Sequence, residues 1–129
     1  MGVLTWTAEQ FGTDVDICDG QHKELFRLFN DLYDKVNSGD QSGTGEKLEL
    51  FRSFVGEHFS TEERLMREMG YQYYDSHKAQ HDAFQSSVAG VQADGLTSDI
   101  IGGWAAWWLS HIPTSDRPYG PVLRSINWE

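Results

Sequence analysis

Apolar side chains recur every three or four positions in four stretches of this chain, with polar residues between them. Leu25, Phe29, Leu32 and Val36 mark the first stretch. Leu48, Phe51, Phe54 or Val55, Leu65 or Met66, and Met69 mark the second. The third carries Tyr74, Phe84, Val88 and Val91; the fourth carries Ile100 or Ile101, Trp104, and Trp107 or Trp108. This is the period of a helix with one buried face. Asp19 is placed to cap the first helix. Gly70 can end the second. Pro113 disrupts the fourth, because proline lacks a donor and clashes with the preceding turn. SGDQSGTG at 38–45 and ADGLTSD at 93–99 are loops by composition. Residues 1–18 show no sustained period and read as an extended arm, and VLRSINWE at 122–129 reads as a short fifth helix. Connections this short leave little room for crossovers. The expected fold is all-α, an up-down antiparallel four-helix bundle at 19–112 with an N-terminal arm at 1–18 and a C-terminal segment at 113–129. The chain of 129 residues fits one domain, 1–129.

The polar residues break the pattern in one respect. All five histidines, His22, His58, His77, His81 and His111, fall in phase with the apolar stripe of their helices. Glu62 does too, four residues after His58. A polar side chain on a buried stripe needs a partner, or its desolvation costs about 1–3 kcal/mol. One such histidine reads most simply as a core residue bonded to a carbonyl. Five of them, on four helices, exceed what separate buried acceptors can satisfy. A shared metal site satisfies them together. HKAQH at 77–81 has the spacing of a helical zinc-protease motif but no glutamate within it, so that reading lacks its general base.

Glu63 is rotated by about 100° from Glu62 and is expected to face solvent, as are Asp75 and Asp82. Asp116 is off-face on a regular helix but can turn inward if Pro113 breaks it, so spacing alone leaves it open. Five imidazoles and a carboxylate are too many for one zinc. They suit two ions of higher coordination, such as iron. With Glu62, Asp116 and one oxygen counted as bridges, two six-coordinate ions are filled except for one position, where something small can bind.

Bulk properties narrow the setting. Ten basic against 20 acidic side chains give a net charge of −10, which repels nucleic acid and anionic membrane. Cys18 is the single cysteine, so an internal disulfide is impossible, and it reads as an apolar filler or incidental thiol. The first ten residues lack a secretory pattern. Gly2 fails as a lipidation site because Trp6 stands where Ser or Thr is needed. No apolar run approaches the roughly 20 residues of a membrane span. A soluble, cytoplasmic protein is expected, and a monomer.

DGQHKELF (19–26), HFSTEERLM (58–66), HKAQH (77–81) and HIPTSD (111–116), in that order, resemble the motifs of hemerythrins in their single-domain bacterial form. The resemblance runs from Trp6 to the Asp116 region. It implies a non-haem di-iron centre that binds O2 reversibly, with Fe2+/Fe3+ ions bridged by an oxo or hydroxo group. It further implies that His77, His81 and His111 hold one iron, His22 and His58 the other, and that Glu62 and Asp116 bridge them. The open position then falls on the two-histidine iron. One departure stands out: the family usually carries Trp then Leu four and three residues before the last histidine, where this chain has Trp107 and Trp108. At least one should face the irons, and Trp107, Trp108, Phe26 and Phe59 are the candidate lining of the O2 pocket.

Three functions follow from such a site. The first is an O2 carrier, store or local supplier to an O2-consuming enzyme. A site rich in imidazole and poor in carboxylate favours a ferrous centre that releases O2, and no residue is left over as a positioned acid or base. The second is a ferroxidase or a peroxide- or nitric-oxide-consuming di-iron enzyme. The third is a sensor of O2 or nitric oxide, which would need a separate output partner. The first, a non-enzymatic oxygen-binding protein, accounts best for the residues.

Overall fold

The computed structural model describes residues 3–40 and 42–128, with side chains at all of these but 126 and 128. Gly2, Gln41 in the first loop and Glu129 at the end of the tail lie outside the described residues. Four long helices are present among them: α2 (Asp16–Asn37), α3 (Thr44–Glu68), α4 (Tyr74–Ala89) and α5 (Ser98–His111). A short α1 (Ala8–Phe11) precedes them and a short α6 (Gly120–Leu123) follows.

Cross-helix contacts fix the directions. His22 meets His58 while Phe29 meets Phe51, so residue numbers fall along α3 as they rise along α2. Glu63 reaches His81 and Arg52 reaches Val88, which reverses α4 against α3. His77 meets His111 and Phe84 meets Trp104, reversing α5 against α4. The result is an antiparallel bundle, as the short connections require.

Helix ends show where local chemistry overrode periodicity. α2 starts at Asp16 rather than after Asp19. Asp19 lies inside the helix, and its carboxylate reaches back to accept from the Thr13 N–H at 2.9 Å and the Thr13 hydroxyl at 2.7 Å. The arm is not wholly extended, because the Thr7 side chain caps the single turn of α1. Its extended part lies along α2, with the N–H groups of Val3 and Leu4 donating to Asn30 Oδ1. α3 ends as a Schellman motif: Gly70 is left-handed at φ 66°, Tyr71 N–H donates to Met66 O and Gly70 N–H to Arg67 O. Val91 lies past the end of α4, half-buried against the core.

Pro113 does not break α5. It widens the helix into a π-helical turn, Ile112–Asp116, in which the Arg117 N–H reaches back five residues to Ile112 O. The Thr114 hydroxyl donates to Ser110 O, one turn back, at 2.7 Å. One inserted residue moves Asp116 by about 100° and brings it onto the face of His111. The tail then folds as 3-10 turns around α6; of the fifth helix expected at 122–129 only the start, to Leu123, is α-helical, and Arg124–Trp128 continues as a 3-10 turn.

The apolar core is divided. A large aromatic cluster runs from Leu4 and Phe26 to Trp104 and Trp108. A smaller one joins Val15, Cys18, Leu65, Met66, Tyr71, Tyr119 and Leu123. His22 and Glu62 fall between members of the two clusters along α2 and α3, so the polar residues lie at the boundary, sealed from both ends. No helix among the described residues is long and apolar enough to cross a membrane.

Candidate metal centre

The five histidines, Glu62 and Asp116 are each at most 3% exposed. Each long helix supplies its share: His22 from α2, His58 and Glu62 from α3, His77 and His81 from α4, His111 from α5. Asp116 comes from the π-helical turn. Spacings of four place His58 with Glu62, and His77 with His81, on one face and one turn apart.

The two carboxylates each divide their oxygens between two sets of imidazoles. Glu62 Oε2 lies 3.2 Å from His22 Nε2 and 3.2 Å from His58 Nε2. Glu62 Oε1 lies 3.2 Å from His81 Nε2 and 3.8 Å from His77 Nε2. Asp116 Oδ2 faces His22 Nε2 at 3.0 Å, whereas Oδ1 faces His77 at 2.9 Å and His111 at 3.1 Å. Two groups result, His22–His58–Glu62–Asp116 and His77–His81–His111–Glu62–Asp116, each with its ligand atoms within 4.8 Å of one another.

All five Nε2 atoms, Glu62 Oε1 and both Asp116 oxygens are buried without a hydrogen-bonding partner. Neighbouring ligands at about 2.1 Å from a six-coordinate ion sit roughly 3 Å apart. The observed separations fit shared coordination and the donor set, imidazole and carboxylate, fits iron or a similar first-row ion.

Charge is compensated within the site. Burial pushes the His22 imidazole down, but Asp116 and Glu62 outweigh it and raise its pKa to about 10. His77 is raised to about 9 in the same way. Burial lowers the pKa of His58, which also meets the charge on His22. Against the cost of burial, His58, His22 and His77 hold Glu62 well below the usual carboxylate range. Asp116 is likewise depressed; burial and Glu62 oppose this, and His111 and His22 prevail. Without metal, protons on histidine balance the two carboxylates.

Three residues that the helical period did not single out orient the imidazoles. Gln21 Oε1 lies 2.8 Å from His58 Nδ1, Glu63 Oε2 2.8 Å from His81 Nδ1, and Gln80 Oε1 2.9 Å from His111 Nδ1. Glu63 is therefore not solvated; its side chain is 16% exposed and bound to His81. Each acceptor is the sequence neighbour of an inward ligand candidate on the adjacent helix. One step rotates a side chain by about 100°, which in a bundle points it toward the next helix rather than to water. The Gln or Glu standing directly beside His22, Glu62 and His81 was the available signal. Asp75 and Asp82 are exposed as expected, and Asp82 pairs with Lys78.

Aromatic rings cover the imidazoles. Phe59 stacks on His81 at 3.8 Å between centroids, and Trp107 on His111 at 4.2 Å. Trp108 is 0% exposed and lies 6.2 Å from both His58 and His111. Both tryptophans therefore reach the site, Trp108 from inside the bundle and Trp107 from its edge. Phe26 is buried in the same core against Phe11, 5.3 Å away.

Comparison with known proteins agrees with this geometry. The hemerythrin HHE cation binding domain matches residues 13–123. The bacteriohemerythrin of Methylococcus capsulatus is 36% identical over 95% of this chain and 98% of its own length. The hemerythrin of Phascolopsis gouldii is 34% identical over 84% of each. A solved wild-type hemerythrin superposes with a TM-score of 0.90 at 35% identity, over 95% of this chain and 98% of that one. The chain belongs to the hemerythrin family.

Proposed function

We propose that this chain binds O2 reversibly at a pair of iron ions, working as one hemerythrin-like domain and serving as a carrier, store or local supplier in the cytoplasm. His77, His81 and His111 would hold one ion and His22 and His58 the other, with Glu62 and Asp116 available to both. The observation that carries this reading is the division of each carboxylate's oxygens between the two histidine sets. The two-histidine side has one imidazole fewer, so an ion held there would have room for a small ligand. When bound, the iron pair supplies the O2 affinity.

The chain's own residues supply the rest. Gln21, Glu63 and Gln80 accept from the outer imidazole nitrogens and fix ring orientation, as second partners do in metal sites. Phe59, Trp107 and Trp108 exclude water from the metal-facing side. The pairing of five imidazoles with two carboxylates keeps the site low in negative charge, which favours ferrous iron and release over oxidation.

The test is O2 uptake by the iron-loaded, reduced protein with an optical spectrum before and after degassing. One saturable uptake, reversed on degassing, is expected. Steady O2 consumption over many turnovers with a reductant present would replace this reading by an oxidase.

A further inference from the structure

Glu62 Oε2 has a partner that the other site oxygens lack. Tyr119 donates its hydroxyl to it at 2.6 Å, wholly inside the protein. Glu62 Oε1, Asp116 Oδ1 and Asp116 Oδ2 receive no hydrogen bond. Oε2 is also the oxygen that faces His22 and His58. The hydroxyl therefore acts on one side of the site only, the side with two imidazoles.

The tail is built to hold that phenol in place. Tyr119 follows Asp116 by three residues, through the turn Arg117–Tyr119. Arg117 donates to the carbonyls of Gly12 and Gln10, pinning this turn to the arm. At Gly120 an added Cβ would overlap the Thr13 carbonyl oxygen, so the next residue lies flush against the same segment. The Tyr119 ring lies over His77 at 6.0 Å, and Val15, Cys18, Leu65 and Met66 enclose it in apolar surface. No site requirement at the level of packing calls for a hydroxyl here; phenylalanine would fill the same space.

We propose that Tyr119 is a positioning residue that holds Glu62 across the two ions and weakens Oε2 as a donor to the two-histidine ion. A hydrogen bond withdraws charge from the carboxylate oxygen, and that charge stabilises ferric more than ferrous iron. Tyr119 thus keeps the site reduced and slows its irreversible oxidation. This inference rests on the di-iron reading above.

Three proteins test it: the parent, Tyr119→Phe, and the parent with 3-fluorotyrosine placed at 119, whose hydroxyl is the stronger donor. Iron per chain, the midpoint potential from spectroelectrochemical titration, and metal-free melting temperature are measured for each. Tyr119→Phe should keep both irons, lower the potential and oxidise roughly tenfold faster in air, the change expected for losing one hydrogen bond to a charged group. The fluorinated protein should shift the potential the opposite way, which a purely structural role would not do. Unmoved potentials, or both moving in one direction, overturn the proposal. If Tyr119→Phe does not fold, the fluorinated protein against the parent decides it: an unchanged or lowered potential overturns it. A parent that binds no iron overturns the functional reading as well, and is seen before any variant is compared.

Discussion

Glu63→Ala is the perturbation that separates an outer orienting residue from a solvated one. The substitution removes the acceptor 2.8 Å from His81 Nδ1. His81 is 0% exposed, and Glu63 supplies the acceptor at its Nδ1. A buried donor left without a partner costs about 1–3 kcal/mol. If that cost falls on the metal-bound tautomer, affinity drops roughly 5- to 150-fold. This overlaps the 10- to 100-fold typical of lost second partners in metal sites. Glu63→Gln keeps an acceptor oxygen but loses the charge, so its loss should be smaller. Competition with a calibrated chelator measures iron affinity in each, and metal-free melting shows whether the fold itself is affected. Parent-like affinity in Glu63→Ala would refute the orienting role, as would Gln and Ala variants that lose affinity equally.

Two further outcomes are expected. Trp108→Ala empties a fully buried position and should destabilise the metal-free protein by about 3–5 kcal/mol and speed autoxidation, whereas Trp108→Leu should keep two irons and change O2 release; melting and stopped-flow spectra check both, and parent-like behaviour of both variants would remove Trp108 from the pocket. The pKa values of His22 and His77 are raised from 6.5 to about 10 and about 9, so the stability they bring to the metal-free protein is complete below pH 6.5 and lost as pH rises through those values. Glu62 and Asp116 are depressed, and their contribution is lost in acid. The metal-free protein should therefore melt highest between about pH 5 and 6.5, with its melting temperature falling toward pH 10, while the gain on iron loading widens as pH rises because metal replaces those protons. A metal-free melting temperature flat from pH 6 to 10 would contradict the site's charge balance.

The sequence carried the bundle and the inward histidines because both are periodic. A histidine in phase with Leu25 and Phe29, or with Phe51 and Val55, shares their burial wherever the helix packs. Asp116 was not settled by spacing, because the counting assumes an α-helical period and Pro113 changes that period locally. Glu63 was misplaced because a helix in a bundle has two flanks against neighbours, not one buried and one wet face. Asp19 carries the chemistry of a cap, yet its carboxylate serves Thr13 from within the helix, and α1 is too short to show any period. Tyr119 reaches Glu62 only through the folded tail, and nothing in the local pattern RPYG points to a carboxylate 57 positions earlier.

The central claim is that two ions share Glu62 and Asp116, one beside two histidines and one beside three. An anomalous difference map from crystals of the iron-loaded protein, recorded at the iron edge, tests it directly. Two peaks are predicted, one next to His22 and His58 and one next to His77, His81 and His111, both between the two carboxylates. A single peak, or a second one away from Glu62 and Asp116, would contradict the account.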